Sequence, residues 1–195
     1  MKKIKFHRYQ KKEDLIQVEL PKNAIAFREP KSFIMINVVS FLYIIPLILI
    51  IVWINHQREV YYPFNLTGIL LSFLCIIPHE ILHAVCFPKE DMKHIYYAPK
   101  YMLMFVLCNA AISKKRFIIL SLLPNIVFGL LPYMAWLILP LNTSYSQTLL
   151  SFSVLNLLAG AGDYMNVVNA MLQMPKNSIQ ILSGMHSYWC MPEDF

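Results

Sequence analysis

Charge is what this sequence has least of. Asp, Glu, Lys and Arg together make up 14% of its 195 residues, against about 25% in ordinary soluble domains. That scarcity, with 57% hydrophobic residues and a mean hydropathy of +0.51, excludes a soluble globular domain and leaves an integral membrane protein. Acids are thinnest in the second half, where Asp163 is the only one between Met92 and Pro192. No C-x-x-C spacing links Cys75, Cys86, Cys108 and Cys190, so free thiols are expected rather than disulfides or thiolate ligands. The first apolar run lacks a small-residue cleavage site after it and is not expected to be a removable signal peptide. The net charge of +6 falls in short segments between apolar runs, not in a stripe, which excludes nucleic acid as the partner and leaves the lipid bilayer.

What is there is a series of membrane-length runs. Phe33 to Ile54 has no charged residue and, at 1.5 Å per residue, crosses a hydrocarbon core about 30 Å thick. Further spans are expected at about 64–87, 117–139 and 145–171, with Tyr61 and Tyr62 as an interfacial aromatic pair. Between the second and third, the β-prone runs His94 to Tyr97 and Tyr101 to Leu107 flank Ala98-Pro99-Lys100 and suggest a small β-hairpin or a re-entrant loop. Leu15 to Leu20 alternates like a short strand. The expectation is therefore an all-α integral membrane protein with four transmembrane helices and a possible hairpin. Pro46 is expected to bend the first helix, Pro78 to open the second, and Pro124-Asn125 with Gly129 to interrupt the third.

Basic residues set the orientation. Residues 1–31 carry nine Lys or Arg, residues 88–116 carry six, and the tail adds Lys176, whereas the opposite loops hold only Arg58. The positive-inside rule puts both termini and the 88–116 loop in the cytoplasm, in the cell membrane.

The chemistry is concentrated in His79-Glu80-Ile81-Leu82-His83, an H-E-x-x-H inside the second span. Composition alone yields about 0.006 such matches in a chain of this length. On a helix the two histidines lie one turn apart on one face and reach one metal ion, while Glu80 is placed to hold a water on that ion. Three ionisable residues at membrane depth demand a partner, and a cation supplies it. The plain alternative is a metal-free polar helix lining a water-filled cavity. A catalytic zinc commonly takes three protein ligands, and Asp163 is assigned as the third. Counted from the outer helix ends, His79 lies 15 residues in and Asp163 lies 18, so their depths differ by roughly 5 Å. Asn156, on the same face as Asp163, is a candidate to hydrogen-bond the site or a substrate, or simply packs. His94 and His186 rank below Asp163 as ligands. Two histidines and a carboxylate also suit non-haem iron; Glu80 within the motif favours zinc.

An H-E-x-x-H in one membrane helix with Gly162-Asp163 in a later one resembles the site-2 protease class of intramembrane zinc proteases. From about Phe64 to Pro175, including Ile112-Ser113-Lys114-Lys115-Arg116-Phe117 and Pro124, the chain more closely resembles the uncharacterised bacterial multi-pass membrane proteins grouped as putative zincin peptidases. The resemblance implies one zinc per chain on His79, His83 and Asp163, with Glu80 as the catalytic residue, in a metallopeptidase-like transmembrane domain over 32–175 between a cytoplasmic segment, 1–31, and a cytoplasmic tail, 176–195. It departs from site-2 proteases in having Tyr164 after Asp163, no proline shortly before it and no PDZ-like domain. The implied activity is hydrolysis of a peptide bond in a membrane-associated substrate near the cytoplasmic leaflet, with the substrate held extended along the 93–107 hairpin. The competing readings are a non-catalytic metal-binding sensor or scaffold and a small transporter, against which stands the lack of any repeat between halves.

Overall fold

The computed structural model describes residues 3–11, 14–30, 32–60, 64–101, 103–141 and 143–194. Tyr61, Tyr62 and the basic residues Lys2, Lys12 and Lys31 lie outside them.

Among the described residues, three helices are long and apolar enough to cross a membrane. The first is α1 (Phe33–Gln57) and the second α2 (Leu66–Cys86), which runs unbroken through Pro78. The third is continuous over Lys114–Leu137 but changes pitch: α3 (Lys114–Pro124), a π-helical segment (Asn125–Leu130) and α4 (Leu131–Leu137). The expected fourth span is instead two helices, α5 (Ser144–Ala159) and α6 (Ala161–Gln173), of 16 and 13 residues, broken at Gly160. Sixteen residues rise about 24 Å, short of the hydrocarbon thickness, and Ser146, Ser151, Ser153 and Asn156 of α5 are buried among other helices.

The expectation of an all-α, four-span protein is thus corrected twice, because seven strands among the described residues also form two sheets. In the first sheet β1 (Ile4–Arg8) runs parallel to β3 (Lys93–Ala98), which pairs antiparallel with β4 (Leu103–Cys108); Pro99–Tyr101 makes the turn of the β3–β4 hairpin. In the second, the order is β2 (Ile25–Ala26), β7 (His186–Cys190), β6 (Ile179–Ser183) and β5 (Ile112–Ser113), all antiparallel. Short strands separated by tens of residues escape a reading of local alternation, and their pairing satisfies backbone groups that no helix supplies. The predicted strand at Leu15 to Leu20 is not one: Ile16 and Val18 hydrogen-bond to Gly184 and Ser183 at the turn of the β6–β7 hairpin. There Gly184 adopts φ +61°, which favours a residue without Cβ.

The N-terminal strands, the 88–113 stretch and the C-terminal hairpin therefore assemble with one another. Basic residues in this region close helix ends. Arg116 donates from Nε to Cys86 O at the end of α2, and Lys114 donates to Met171 O and Met174 O at the end of α6, where carbonyls lack intrahelical partners. Phe27, Phe87, Phe117, Leu120 and Met174 form the core where helices meet sheets. At the other end α2 and α5 start together: Asn65 caps α2 through Gly68 N–H, takes its own N–H to Ser151 Oγ and donates to Thr148 Oγ1. No disulfide joins Cys75, Cys86, Cys108 and Cys190.

Candidate metal centre

Helix α2 carries the motif in its last two turns, with His79 and His83 facing Asp163 of α6 and His83 facing Leu120 of α3. His79 Nε2 lies 3.4 Å from Asp163 Oδ2, and His83 Nε2 lies 3.4 Å from Asp163 Oδ1. The two imidazoles meet edge to face with ring centroids 4.9 Å apart. Ligand atoms of His79, Glu80 and His83 all fall within 4.8 Å of one another, and Glu80 and His83 are buried. Depth counted along the helices places His79 and Asp163 at one level, and the break at Gly160 does not separate them, because α6 starts only two residues before the aspartate.

These distances test whether a metal fits. Around a tetrahedral zinc with ligands at about 2.0–2.2 Å, neighbouring donor atoms stand about 3.4 Å apart. Both His–Asp separations have that value, and both exceed the roughly 2.9 Å typical of a direct N–H···O hydrogen bond. Two imidazole nitrogens, one carboxylate and a buried glutamate beside them form a donor set suited to zinc. The residues fit the group.

Two supports went unread in the sequence. His83 Nδ1 donates to Leu120 O at 2.9 Å, and Asn125 Nδ2 donates to Asp163 Oδ2 at 2.7 Å. An amide in an apolar span, next to a proline, was the available signal, read there only as an interruption. Gly160 is the counterpart of Asn125, since a Cβ at that position would stand 1.7 Å from Asn125 Oδ1.

The remaining candidates lie elsewhere. Asn156 donates to Phe152 O and Ser72 Oγ, tying α5 to α2 without touching the histidines or Asp163. His94 pairs with His7 across β1 and β3 at 2.9 Å. His186 faces Glu29 at 3.2 Å, and the same carboxylate oxygen accepts the Ser187 N–H. Burial holds Glu29 above the ordinary carboxylate range, with the Ser187 and His186 contacts acting against it. Glu29 was not anticipated, yet it lines the cavity in front of the motif.

Two cavities meet at His79 and Glu80. The one toward the sheets, about 290 Å³, is lined by Leu103 to Leu107 of β4, by Gln180 and Leu182 of β6 and by Glu29. The other, about 640 Å³, lies among α1, α2 and α5 and is lined by Phe41, Phe73, Ile76, Leu155 and the polar Ser72 and Asn156.

No curated protein and no solved structure matches the chain. A family model does, over residues 72–179, a stretch that holds the motif helix, the β3–β4 hairpin, Asn125 and Asp163 and spans more than half of the sequence. The chain belongs to the family that this model describes, "Putative zincin peptidase".

Proposed function

We propose that the protein is a membrane-embedded zinc peptidase of the site-2 protease type, cutting a peptide bond of a membrane-associated substrate near the cytoplasmic leaflet. The observation that carries this reading is the convergence of His79 Nε2 and His83 Nε2 on one Asp163 carboxylate at 3.4 Å with Glu80 buried alongside. His79, His83 and Asp163 hold the ion, and Glu80 is left to handle protons. Zinc bound there supplies a Lewis acid that polarises the scissile carbonyl and lets water act as a nucleophile near neutral pH. Glu80 takes the proton of the attacking water and passes it to the leaving amine, a transfer that contributes about 10²–10⁴-fold in rate.

The surroundings suit a polypeptide. β4 is the outer strand of its sheet and lines the cavity at the motif, so its free backbone edge can take an extended segment as an added strand. The larger apolar cavity among α1, α2 and α5 gives room for the adjoining, still lipid-like part of the same substrate. The basic N-terminal, 88–116 and C-terminal segments assemble together, which supports a cytoplasmic placement of both termini.

The test is metal content and turnover together. Detergent-purified wild type should hold about one zinc per chain, and Glu80→Gln should keep that zinc while membrane-protein fragments present with wild type disappear and their precursors accumulate. A wild type that stays metal-free after zinc reconstitution would sink the reading. Zinc retained with identical membrane proteomes would leave a sensor or scaffold instead.

A further inference from the structure

His83 and Asp163 stand on different helices, yet one dipeptide of a third, Pro124-Asn125, holds both. A helix carbonyl ordinarily accepts from the N–H four residues on. For Leu120 O that donor is missing, because residue 124 is a proline, and the N–H of Asn125 goes to Leu122 O. The carbonyl left over takes the Nδ1–H of His83 at 2.9 Å. Since a carbonyl only accepts, Nδ1 carries the hydrogen, and in the neutral imidazole Nε2 keeps its lone pair toward Asp163.

One residue later, Asn125 Nδ2 donates to Asp163 Oδ2 at 2.7 Å and to Ser121 O at 3.2 Å. Two acceptors around one nitrogen fix which way the amide points. Its Oδ1 is buried with no hydrogen-bond partner among the described residues and faces Gly160, where no side chain intervenes. An unpaired buried carbonyl is costly, so the amide is not held there by its own satisfaction. The π-helical segment also begins at this residue, and such wide turns gather at functional sites.

We propose that Pro124 and Asn125 are the positioning residues of the metal centre. The proline releases the carbonyl that fixes the tautomer and direction of His83, the asparagine fixes the carboxylate of Asp163, and Gly160 leaves the space. This inference rests on the zinc reading of His79, His83 and Asp163. Supporting contacts of this kind are typically worth 10–100-fold in metal affinity.

The experiment measures zinc affinity of full-length, detergent-purified Pro124→Ala, Asn125→Ala and Asn125→Leu by competition with a chromophoric chelator, beside thermal unfolding of each zinc-free protein. Affinity is expected to fall about 10–100-fold in each. Pro124→Ala separates positioning from structure: it restores a helix donor for Leu120 O, so the zinc-free protein should be at least as heat-stable as wild type while binding zinc more weakly. Asn125→Leu is close in size and apolar, and it is read in place of Asn125→Ala if the latter fails to fold. Wild-type affinity in Pro124→Ala and Asn125→Leu, or a loss that only tracks a lowered zinc-free melting temperature, would overturn the inference while leaving the peptidase reading standing. A wild type that binds no zinc would overturn both.

Discussion

Helix α1 and the α5–α6 pair have similar lengths and opposite surfaces. α1 is 25 residues; it buries Ser40 and Asn55, and turns Leu42, Leu49 and Trp53 outward, each more than 60% exposed. α5 buries Ser146, Ser151, Ser153 and Asn156, and α6 delivers Asp163 to the histidines. In water this would be an inverted protein. In a bilayer it is the expected order, since lipid tails solvate leucine and drive polar groups inward, where small side chains let helices approach. The difference is that polar groups gather where α6 meets the unbroken α2 at His79, His83 and Asp163, while the outer face of α1 stays apolar.

The largest effect that would sharpen this contrast is at Asp163. On the proposed reading Asp163→Ala removes a ligand rather than a support, so zinc content should fall by more than the 10–100-fold expected when a supporting hydrogen bond is lost, to near zero under ordinary purification. Elemental analysis of wild type and variant reads it. Full zinc occupancy in Asp163→Ala would move the third ligand elsewhere and take the functional weight off α6.

Next in size is a packing test at the other end of the pair. Gly68 in α2 faces α5 so closely that a Cβ would lie 2.3 Å from Ser151 Cβ and 2.6 Å from Thr148 O. Gly68→Val should cost about 1–3 kcal/mol, the usual range for overpacking, in denaturant unfolding from mixed micelles. Leu49→Ala on α1 should stay within about 0.5 kcal/mol, as for surface positions. If Leu49→Ala proved the costlier of the two, the exposed Leu49 face of α1 would be packing against protein and the contrast would break.

How much of this was legible depends on the kind of signal. The motif and Asp163 could be read because ionisable residues in apolar runs are expensive and therefore few. The β3–β4 hairpin showed through its proline turn. The break of the last predicted span was hidden because Gly160 and Gly162 read equally well as close-packing residues of one long helix; only Gly160, packed against Asn125, marks the break. The sheets were hidden for a different reason: β2 and β5 have two residues each, and β1 finds its partner 89 positions away. Asn125 was visible, but its meaning depends on where α6 begins, which local pattern does not fix.

The smallest effect tests whether the sheets follow the same rule as the helices. His7 Nε2 and His94 Nδ1 are 2.9 Å apart across β1 and β3, and the His7 ring also stacks on Tyr96. Outside the apolar helices, charge is tolerated but two facing imidazolium rings are not. Burial first, then His7 and Lys5, hold His94 below its ordinary value of 6.5. The folded protein therefore binds fewer protons at this site than the unfolded chain does, and stability rises with pH in the interval between the two values. The contribution is complete above about 6.5 and is lost as pH falls from there through the lowered folded value. His94→Gln should flatten the decline in stability between neutral and mildly acid buffer while leaving zinc content unchanged. An equal decline in wild type and variant would assign the acid sensitivity to other groups, such as Glu29, which lies 3.2 Å from His186 at the second sheet.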